Sequence, residues 1–542
     1  MPTLGRTFVV VAWTGLAATP LAAQGTWVGH QDPCRVSTGH FLVKSAVLYL
    51  KQAVETRFPD QRDGRLNEAY RVLMRAFSEA GQGDNAAAWY YLGRYYVERA
   101  DPSGADSAFR RTLELAPECQ PDVALYTGRL AALALAEALT AWGAGHRDSA
   151  VAAFRLARGL DPMDAEIPLY ASIMYASMSE PDSAAALLEV GLKAAETDTT
   201  HATRMKQAEL EVARAYETRA WSLPAVQTVA QTRARRDSTA PRVAPDSALR
   251  ARMLADVAEI RARGRHLDAQ SLATFQREST LVEDRLAATR RTLDSLTAKA
   301  AADSQAVVEA LAPAIRYYRR YGERYPDDAT AALQLLRLET AAGDQPAVRR
   351  LVERLAASKA DGAALVQAAL GLYGDGLAEP AGTLLDAVLG RNPFDHRALS
   401  VLVHVRYATG QAEALRDAAE RLVAIDPLNP SGARAMALVW DLAGQPDSVR
   451  RYLAQADTGL AWHITITQFA STDRSTSVNG SVRNGAGRAL PALTLDFEFL
   501  DAAGTVLYTA SADIPPIEPR RTATLSVRVE EGGAVAWRYR KR

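Results

Sequence analysis

A repeat of about 34 residues constrains the fold of this chain more than any other feature of its sequence. In the second half, turn glycines recur with spacings of 33, 34 and 34 residues, at Gly343, Gly376, Gly410 and Gly444. Each glycine follows one apolar segment with helical periodicity and precedes another, so each repeat predicts two helices joined by a turn. One helical hairpin cannot bury its own apolar face, whereas stacked copies can. The period therefore predicts a mainly α chain built as an α-solenoid.

The first half of the chain carries the same unit. The segment 88–117, AWYYLGRYYVERADPSGADSAFRRTLELAP, has aromatic, small and proline residues at regular positions: Trp89, Leu92, Gly93, Tyr96, Ala105, Phe109 and Pro117. Later copies place Ala150, Phe154 and Pro162 in equivalent positions. These residues and spacings resemble the tetratricopeptide repeat (TPR), over residues 40–200 and 310–457. We expect Gly93 and Ala105 to lie where the two helices of the hairpin come nearest.

Two segments of different character lie between the arrays. The charged, proline-containing stretch TRARRDSTAPRVAPDSA, which begins at Thr232, predicts a linker or an exposed loop. After it, apolar residues follow a heptad pattern at Leu272, Phe275, Val282, Leu286, Leu293, Leu296, Ala300 and Val307. This pattern predicts a long helix. It either folds back on residues 248–263 as an intramolecular hairpin or pairs with a second chain as a dimerisation coiled coil.

From Trp462 onward, the apolar residues alternate with polar ones instead of following a helical period. The alternating runs are separated by turn dipeptides, and Asn479-Gly480 is one that we predict to form a tight turn. The pattern predicts an antiparallel β-sandwich of about six or seven strands. The stretch resembles the bacterial FxLYD-type immunoglobulin-like domain, through VNGSVRN and the phrase Phe497 to Asp501, although Phe499 and Leu500 stand in its leucine and tyrosine positions.

The first residues have the order of a secretory signal. Arg6 precedes an apolar run, and small residues follow at Ala22 and Ala23. We expect cleavage after Ala23 and a periplasmic or secreted protein, the alternative being an N-terminal membrane anchor. No later segment is expected to cross a membrane. The predicted segments are a signal peptide (1–23), a TPR-like array (24–223), a linker with a long helical hairpin (224–310), a second TPR-like array (311–458) and the β-sandwich (459–542).

Export gives the two cysteines a predicted role. Cys34 and Cys119 are the only cysteines of the chain, and an oxidising compartment favours a disulfide between them. The alternative is two separate, half-buried thiols. A metal site is not expected, because two cysteines without nearby histidine pairs do not make a tetrahedral ligand set.

Composition and motifs argue against catalysis and against nucleic acid as a partner. The 63 basic residues equal the 63 acidic ones in number, so the chain has no net basic charge for nucleic acid. None of the common nucleophile, zinc-protease, phosphate-loop or dinucleotide motifs is present in the sequence. We therefore expect a protein that is not an enzyme and has no cofactor.

Binding surfaces remain as the expected source of function. In a solenoid the first helices of successive repeats line a concave face, and helical spacing places arginine, tyrosine and histidine side chains there. The predicted partner-binding residues are Tyr90, Arg94, Arg337, Tyr373, Arg397, His404, Tyr407 and Arg434. Arginine and tyrosine are typical of binding hot spots. We expect a scaffold that binds a protein or an extended peptide, for which an acidic or carboxylate-ending peptide would suit the face. The alternative is a structural subunit that forms a homodimer through the central helix.

Overall fold

The computed structural model describes residues 27–29, 31–32, 34–195, 199–263 and 268–542. The predicted signal peptide lies outside these residues. The chain divides into two compact units, an N-terminal unit (residues 1–208) and a C-terminal unit (residues 209–542), and the division falls inside a helix.

The N-terminal unit is built from helical hairpins. Its helices are α1 (Phe41–Glu55), α2 (Pro59–Ser78), α3 (Ala86–Glu98), α4 (Pro102–Leu115), α5 (Gln120–Gly143), α6 (Arg147–Leu160), α7 (Glu166–Ser177), α8 (Pro181–Ala194) and the start of α9 (Ala202–Ser222). Consecutive helices pair, α1 with α2 and so on to α8, and the first helices α1, α3 and α5 also contact one another in order. This is the packing of a TPR-like repeat array.

The close approach predicted between the two helices of segment 88–117, α3 and α4, is present. A Cβ atom added to Gly93 would lie 2.5 Å from Cε1 of Phe109, so only glycine lets α3 approach α4 this closely. Ala105 and Phe109 are both buried, and Asp101 caps α4 by accepting a hydrogen bond from the Gly104 N–H.

The expectation that no later segment could cross a membrane needs a correction. The segment Pro117–Gly143, which contains α5, is long and apolar enough to do so by length and composition, with a mean hydropathy of 1.3. In the structure α5 packs against α6, and it carries the buried carboxylate of Asp122. Within the N-terminal unit, 33% of this apolar window is buried.

The C-terminal unit contains the remaining helices. They are α10 (Pro224–Thr239), α11 (Val243–Ala262), α12 (Ala269–Arg324), α13 (Ala329–Ala342), α14 (Gln345–Ala357), α15 (Gly362–Gly374), α16 (Ala378–Arg391), α17 (His396–Ala408), α18 (Ala412–Ile425), α19 (Pro430–Leu442) and α20 (Pro446–Ala454). From α13 onward they pair as hairpins. The four periodic glycines all have positive φ, between 68° and 81°, where they connect the two helices of each hairpin. The predicted period is confirmed. Glycine recurs at these positions because it enters this left-handed conformation without steric cost.

The stretch that begins at Thr232 is helical, through the end of α10, a short 3₁₀ helix and α11, so the prediction of an exposed loop was wrong. Pro241 lies in a short 3₁₀ helix and Pro245 in the first turn of α11, positions where a missing N–H breaks no helical hydrogen bond. The intramolecular hairpin is present. Val282 and Leu286 of α12 are buried within this one chain, and Arg285 pairs with Asp246 of α11.

The long helix α12 also joins the repeat array. Its last turns pack on α9, where the Tyr317 ring stacks on Tyr216 with centroids 5.5 Å apart. The hydroxyl of Tyr318 donates to Glu217 at 2.8 Å. These two contacts fasten the last turns of α12 to Tyr216 and Glu217 of α9, within the C-terminal unit.

Six strands form two three-stranded antiparallel sheets at the C-terminus. They are β1 (Trp462–Ser471), β2 (Thr476–Asn484), β3 (Leu493–Leu500), β4 (Val506–Ile514), β5 (Thr522–Val529) and β6 (Ala536–Lys541). The strand orders are β1-β2-β5 and β4-β3-β6. Buried residues of both sheets, among them Val478, Leu525, Phe497 and Phe499, make a shared apolar core, as the alternating pattern predicts.

The predicted turn at Asn479-Gly480 was wrong. Both residues lie in the middle of β2, where Gly480 pairs with Ile466 next to a β-bulge in β1. A Cβ on Gly480 would lie 2.4 Å from the Thr465 carbonyl oxygen. The glycine is therefore needed for close approach of the backbone at the bulge, and not for a turn.

The sheets are fastened to the last repeats. The Tyr539 hydroxyl of β6 donates a hydrogen bond to the buried carboxylate of Asp426, at the end of α18, and accepts one from the Leu428 N–H at 3.2 Å. The Leu428 carbonyl in turn accepts a hydrogen bond from the Ile464 N–H of β1 at 3.0 Å. Trp537 stacks on His396 at the start of α17, with centroids 5.6 Å apart. This contact holds the sheets against the array.

Candidate partner-binding site

Two of the predicted partner-binding residues, Tyr90 and Arg94, are not exposed. Tyr90 is 0% exposed and Arg94 only 4%. The Arg94 guanidinium lies between the rings of Trp27 and Tyr126, 4.4 Å from each centroid. The prediction treated the face of α3 as open, whereas the chain's own residues ahead of α1 lie against it. These two residues therefore cannot contact a partner in this conformation.

The residues that cover Arg94 are tied to the repeat array further along. Cys34 and Cys119 form a disulfide that joins the segment ahead of α1 to the start of α5. Tyr90 donates a hydrogen bond to Asp122 on α5. Burial, together with this hydrogen bond, raises the pKa of Tyr90 well above its ordinary value, so the hydroxyl remains a donor throughout the neutral range.

The other six predicted residues lie on α13, α15, α17 and α19, the first helices of the second array. Arg337, Arg397, His404 and Arg434 are exposed, and Tyr373 and Tyr407 are half-buried. Three of the six meet around one concavity. His404 and Arg434 line it directly, and Tyr407 donates a hydrogen bond to Asp441, which also lines it.

We name this concavity the C-terminal groove. It lies between α17, α19 and α20 and has a volume of about 370 Å³. It is lined by Ser400, Val403, His404, Leu422, Ser431, Arg434, Ala435, Ala437, Leu438, Asp441, Val449 and Leu453. Its floor is made of small and aliphatic side chains, so it can accept an apolar side chain from outside. The small residues Ser431 and Ala435, one turn apart on α19, make the space.

Charges at the edge of the C-terminal groove largely offset one another. Arg434 Nη2 lies 3.1 Å from Asp457 Oδ1. The hydrogen bond to Asp441 raises the pKa of Tyr407, which keeps that hydroxyl protonated as a donor. An acidic ligand would therefore meet carboxylates as well as Arg434. The geometry favours selection by apolar fit over selection by charge.

The remaining predicted residues do not line the C-terminal groove. The Arg337 guanidinium lies 4.7 Å from the centroid of the Trp221 ring and borders a separate depression between α13 and α15. Arg397 and Tyr373 are on α17 and α15 but outside both linings. Leu438 and Leu453, which do line the C-terminal groove, were missed because an apolar helical residue is assigned to the core unless its exposure is known.

Potential metal ligands are dispersed over the described part of the chain. Among those residues, no three His, Cys, Asp or Glu side chains come together in a group that could hold a metal ion. The absence of a cofactor and of enzymatic activity stays a prediction.

Comparison with known proteins gives structural neighbours only. No protein-family model and no curated protein matches the sequence. Among solved structures, MamA shares 17% identity, with 28% of this chain and 91% of that one aligned, at a TM-score of 0.22. The P58(IPK) TPR domain shares 15% identity over 69% and 92% of the two chains, with a TM-score of 0.17. The Cut9–Hcn1 structure from the APC/C shares 11% identity over 76% and 93%, with a TM-score of 0.28.

Scores and identities this low carry no argument about function. The assignment of the fold rests on the hairpin packing and the glycine period of the chain itself. The chain is a mainly helical, TPR-like repeat array with a long central helix, Ala269–Arg324, and a C-terminal pair of small antiparallel sheets.

Proposed function

We propose that this chain is an exported, non-enzymatic scaffold that binds a protein partner or an extended peptide in the C-terminal groove. The observation that carries the proposal is the groove itself, an apolar concavity between helices of a repeat array. Its lining includes Leu453, which is 42% exposed although it is aliphatic. Exposed aliphatic residues around a concave, apolar site are typical of a binding surface.

The dimensions of the C-terminal groove suit a side-chain anchor. A volume of about 370 Å³ accommodates one or two large apolar side chains. Helices α17, α19 and α20 hold the lining, so little conformational entropy is lost from this side when a partner binds. The partner's anchor would be an aliphatic or aromatic residue, with its polar neighbours near His404 and Arg434.

Two further parts of the proposal rest on the sequence. The charged, apolar and small-residue order of residues 1–23 supports export to the periplasm or beyond, and a disulfide between Cys34 and Cys119 is compatible with such a compartment. We also propose that residues 459–542 are an immunoglobulin-like domain of the FxLYD type. The partial match at Phe497 to Asp501 supports this assignment, as does the presence of two antiparallel sheets.

A matched pair of lysine variants tests the C-terminal groove. Peptides selected from a random library on the wild-type chain serve as probes, and their affinities are measured by isothermal titration calorimetry. Leu453→Lys should weaken binding about tenfold or more, because it places a charge where the partner's apolar side chain would be desolvated. Leu370→Lys is the control, since Leu370 is similarly exposed, at 46%, but lies outside the lining.

Three results would count against the groove as the binding site. Unchanged affinity in the Leu453 variant, or an equal loss of affinity in the Leu453 and Leu370 variants, would show that binding does not depend on the groove. Failure of the library to yield any binding peptide would remove the support for a peptide-binding scaffold.

The alternative function is a structural subunit that self-associates through the central hairpin. The observation in its favour is a set of exposed leucines on this hairpin, Leu249, Leu254, Leu272 and Leu281, the last of them 68% exposed. Against it, Val282 and Leu286 are already buried inside the chain. This part of the heptad pattern is therefore not available for contact with a second chain.

Light scattering distinguishes the two functions. On the scaffold proposal the mature chain is a monomer, and Leu281→Glu leaves its molar mass unchanged. A dimer that dissociates in the Leu281→Glu variant, with helicity retained by circular dichroism, would favour the structural subunit.

A further inference from the structure

In the N-terminal unit, the face formed by α3 and α5 is covered by the chain itself, and we call this face the N-terminal groove. We name the described residues 27–29, 31–32 and 34–36 the N-terminal arm. The arm has no helix or strand, and it lies against α3 and α5. The Trp27 ring stacks on Tyr91 of α3, with centroids 6.3 Å apart and planes inclined by 18°. Because α3 and α5 are first helices of their hairpins, the arm occupies the face that repeat arrays use for ligands.

The contacts of the N-terminal arm are those of a bound peptide. One aromatic side chain, Trp27, covers the Arg94 guanidinium, whose other face lies over the Tyr126 ring. The next residue supplies a backbone carbonyl, since Arg94 Nη1 donates a hydrogen bond to Val28 O at 2.9 Å. An aromatic ring stacked on an arginine, followed by a main-chain hydrogen bond, can be provided by any extended segment with an aromatic residue at that position.

Arg94 keeps unused binding capacity beneath the arm. Its Nε atom is buried and has no hydrogen-bond partner within the described residues. No carboxylate of the described chain lies within ion-pair distance of it either. A buried guanidinium is normally paired with acceptors on more than one nitrogen, because an unmade charged hydrogen bond is costly. The arm therefore satisfies this site only in part, and a better acceptor could replace it.

The N-terminal arm is attached firmly at one end and weakly at the other. Cys34 is buried and bonded to Cys119, and Val36 is also buried. Toward the other end Trp27 is only half-buried and Val28 is 43% exposed. The disulfide thus fixes where the arm enters the groove, while the contact with Arg94 depends on a single ring and a single carbonyl.

We propose that the N-terminal arm is a ligand held in cis, and that the groove across α3 and α5 binds an extended, aromatic-containing segment of a partner protein in its place. The partner segment presents an aromatic side chain to Arg94 and Tyr91 and a main-chain carbonyl to Arg94. This groove is distinct from the C-terminal groove and is tested with a different probe, so the two proposals stand or fall separately.

Competition between the N-terminal arm and a free peptide predicts how much the arm lowers the apparent affinity of that peptide. A short tether gives an effective concentration on the order of 1 mM, so for a peptide with a dissociation constant of about 0.1 mM the groove is open for about one tenth of the time. The apparent affinity of a free peptide for the wild-type chain is lowered by that fraction. Weakening the arm should therefore raise the apparent affinity about tenfold.

The test uses the full mature chain and a fluorescent synthetic peptide. The peptide has the sequence of residues 27–36 with serine in place of cysteine, and binding is followed by fluorescence anisotropy. The Trp27→Ala chain should bind this peptide about tenfold more tightly than the wild-type chain does. A second peptide with alanine at the tryptophan position should bind neither chain. Trp27→Phe should restore the weak binding of the wild type, because phenylalanine can still stack on Arg94.

Folding and specificity are controlled within the same experiment. Val28→Ala leaves the backbone carbonyl in place and should behave as the wild type. Thermal melts by circular dichroism establish that each variant is folded. Equal binding of both peptides, or no gain of binding in a folded Trp27→Ala chain, would overturn the proposal and make the arm a permanent part of the N-terminal unit.

Discussion

Replacing both Cys34 and Cys119 by serine should lower the free energy of unfolding of the N-terminal unit by about 4 kcal/mol. The two residues are 85 positions apart, so their bond removes a large closed loop from the unfolded ensemble. Both are buried, at 1% and 0% exposure, and each serine also places a hydroxyl in an apolar environment. Urea titration with hydrogen exchange read at the amides of α3 and α5 measures this unit separately from the rest of the chain.

Chemical reduction provides the comparison for the serine variant. Wild-type chain treated with excess dithiothreitol under mildly denaturing conditions should lose a similar amount of stability. A loss below about 1 kcal/mol in both cases would mean that the unfolded N-terminal unit is already compact, so that the bond restricts it little.

The second large effect is expected at the contact between the sheets and the repeats. Asp426→Ala should lower the free energy of unfolding of the C-terminal sheets by about 3 kcal/mol. Asp426 is 1% exposed and accepts hydrogen bonds from the Tyr539 hydroxyl and, at 2.7 Å, from Asn429 Nδ2. Without the carboxylate, the buried Tyr539 hydroxyl and the half-buried Asn429 amide lose their acceptor. Burial also raises the pKa of Tyr539, so its hydroxyl keeps its proton and cannot adapt by ionising.

Asp417→Ala is the matched control for Asp426→Ala. Asp417 is on the same helix and pairs with Arg421 at 3.2 Å, but its side chain is 67% exposed. An exposed ion pair contributes less than about 1 kcal/mol. Hydrogen exchange at the amides of β3 and β6 measures both variants. Similar protection in the two would show that the buried carboxylate does not hold the sheets in place.

Local patterns predicted the hairpins well. The glycines at Gly343, Gly376, Gly410 and Gly444 all adopt positive φ, and the helix-capping aspartates lie next to the turns. A turn depends only on its own few residues, and the 34-residue period repeats the same turn in each hairpin. The alternation after Trp462 predicted strands for the same reason, because a period of two is a property of the strand alone.

Errors arose where a distant part of the chain decides the local structure. Asn479-Gly480 has the composition of a turn, but the bulge in β1 brings the Thr465 carbonyl against it and keeps it in a strand. The composition of the stretch that begins at Thr232 predicts a linker. In the structure it is helical, and α12 supplies the surface on which it packs. Thr232 donates a hydrogen bond to the buried Asp303 of α12 at 3.0 Å. In both cases the partner is far away in the sequence.

The same distinction between local and distant determinants holds for the candidate sites. Helical spacing alone placed His404, Tyr407 and Arg434 on one face, since residues of first helices in successive repeats must line up. Spacing could not show that α20 closes one side of the C-terminal groove. Nor could it show that the N-terminal arm covers Arg94, because no periodic signal links Trp27 to α3.

The sequence by itself determined the repeat unit, the helical pairs and the change from helix to strand, because these depend on side-chain periodicity and on turn residues within each segment. Only the tertiary structure decided which faces stay open. Exposure of Leu453 and burial of Arg94 depend on whether another part of the chain lies over them, and that is set by packing between segments far apart in the sequence.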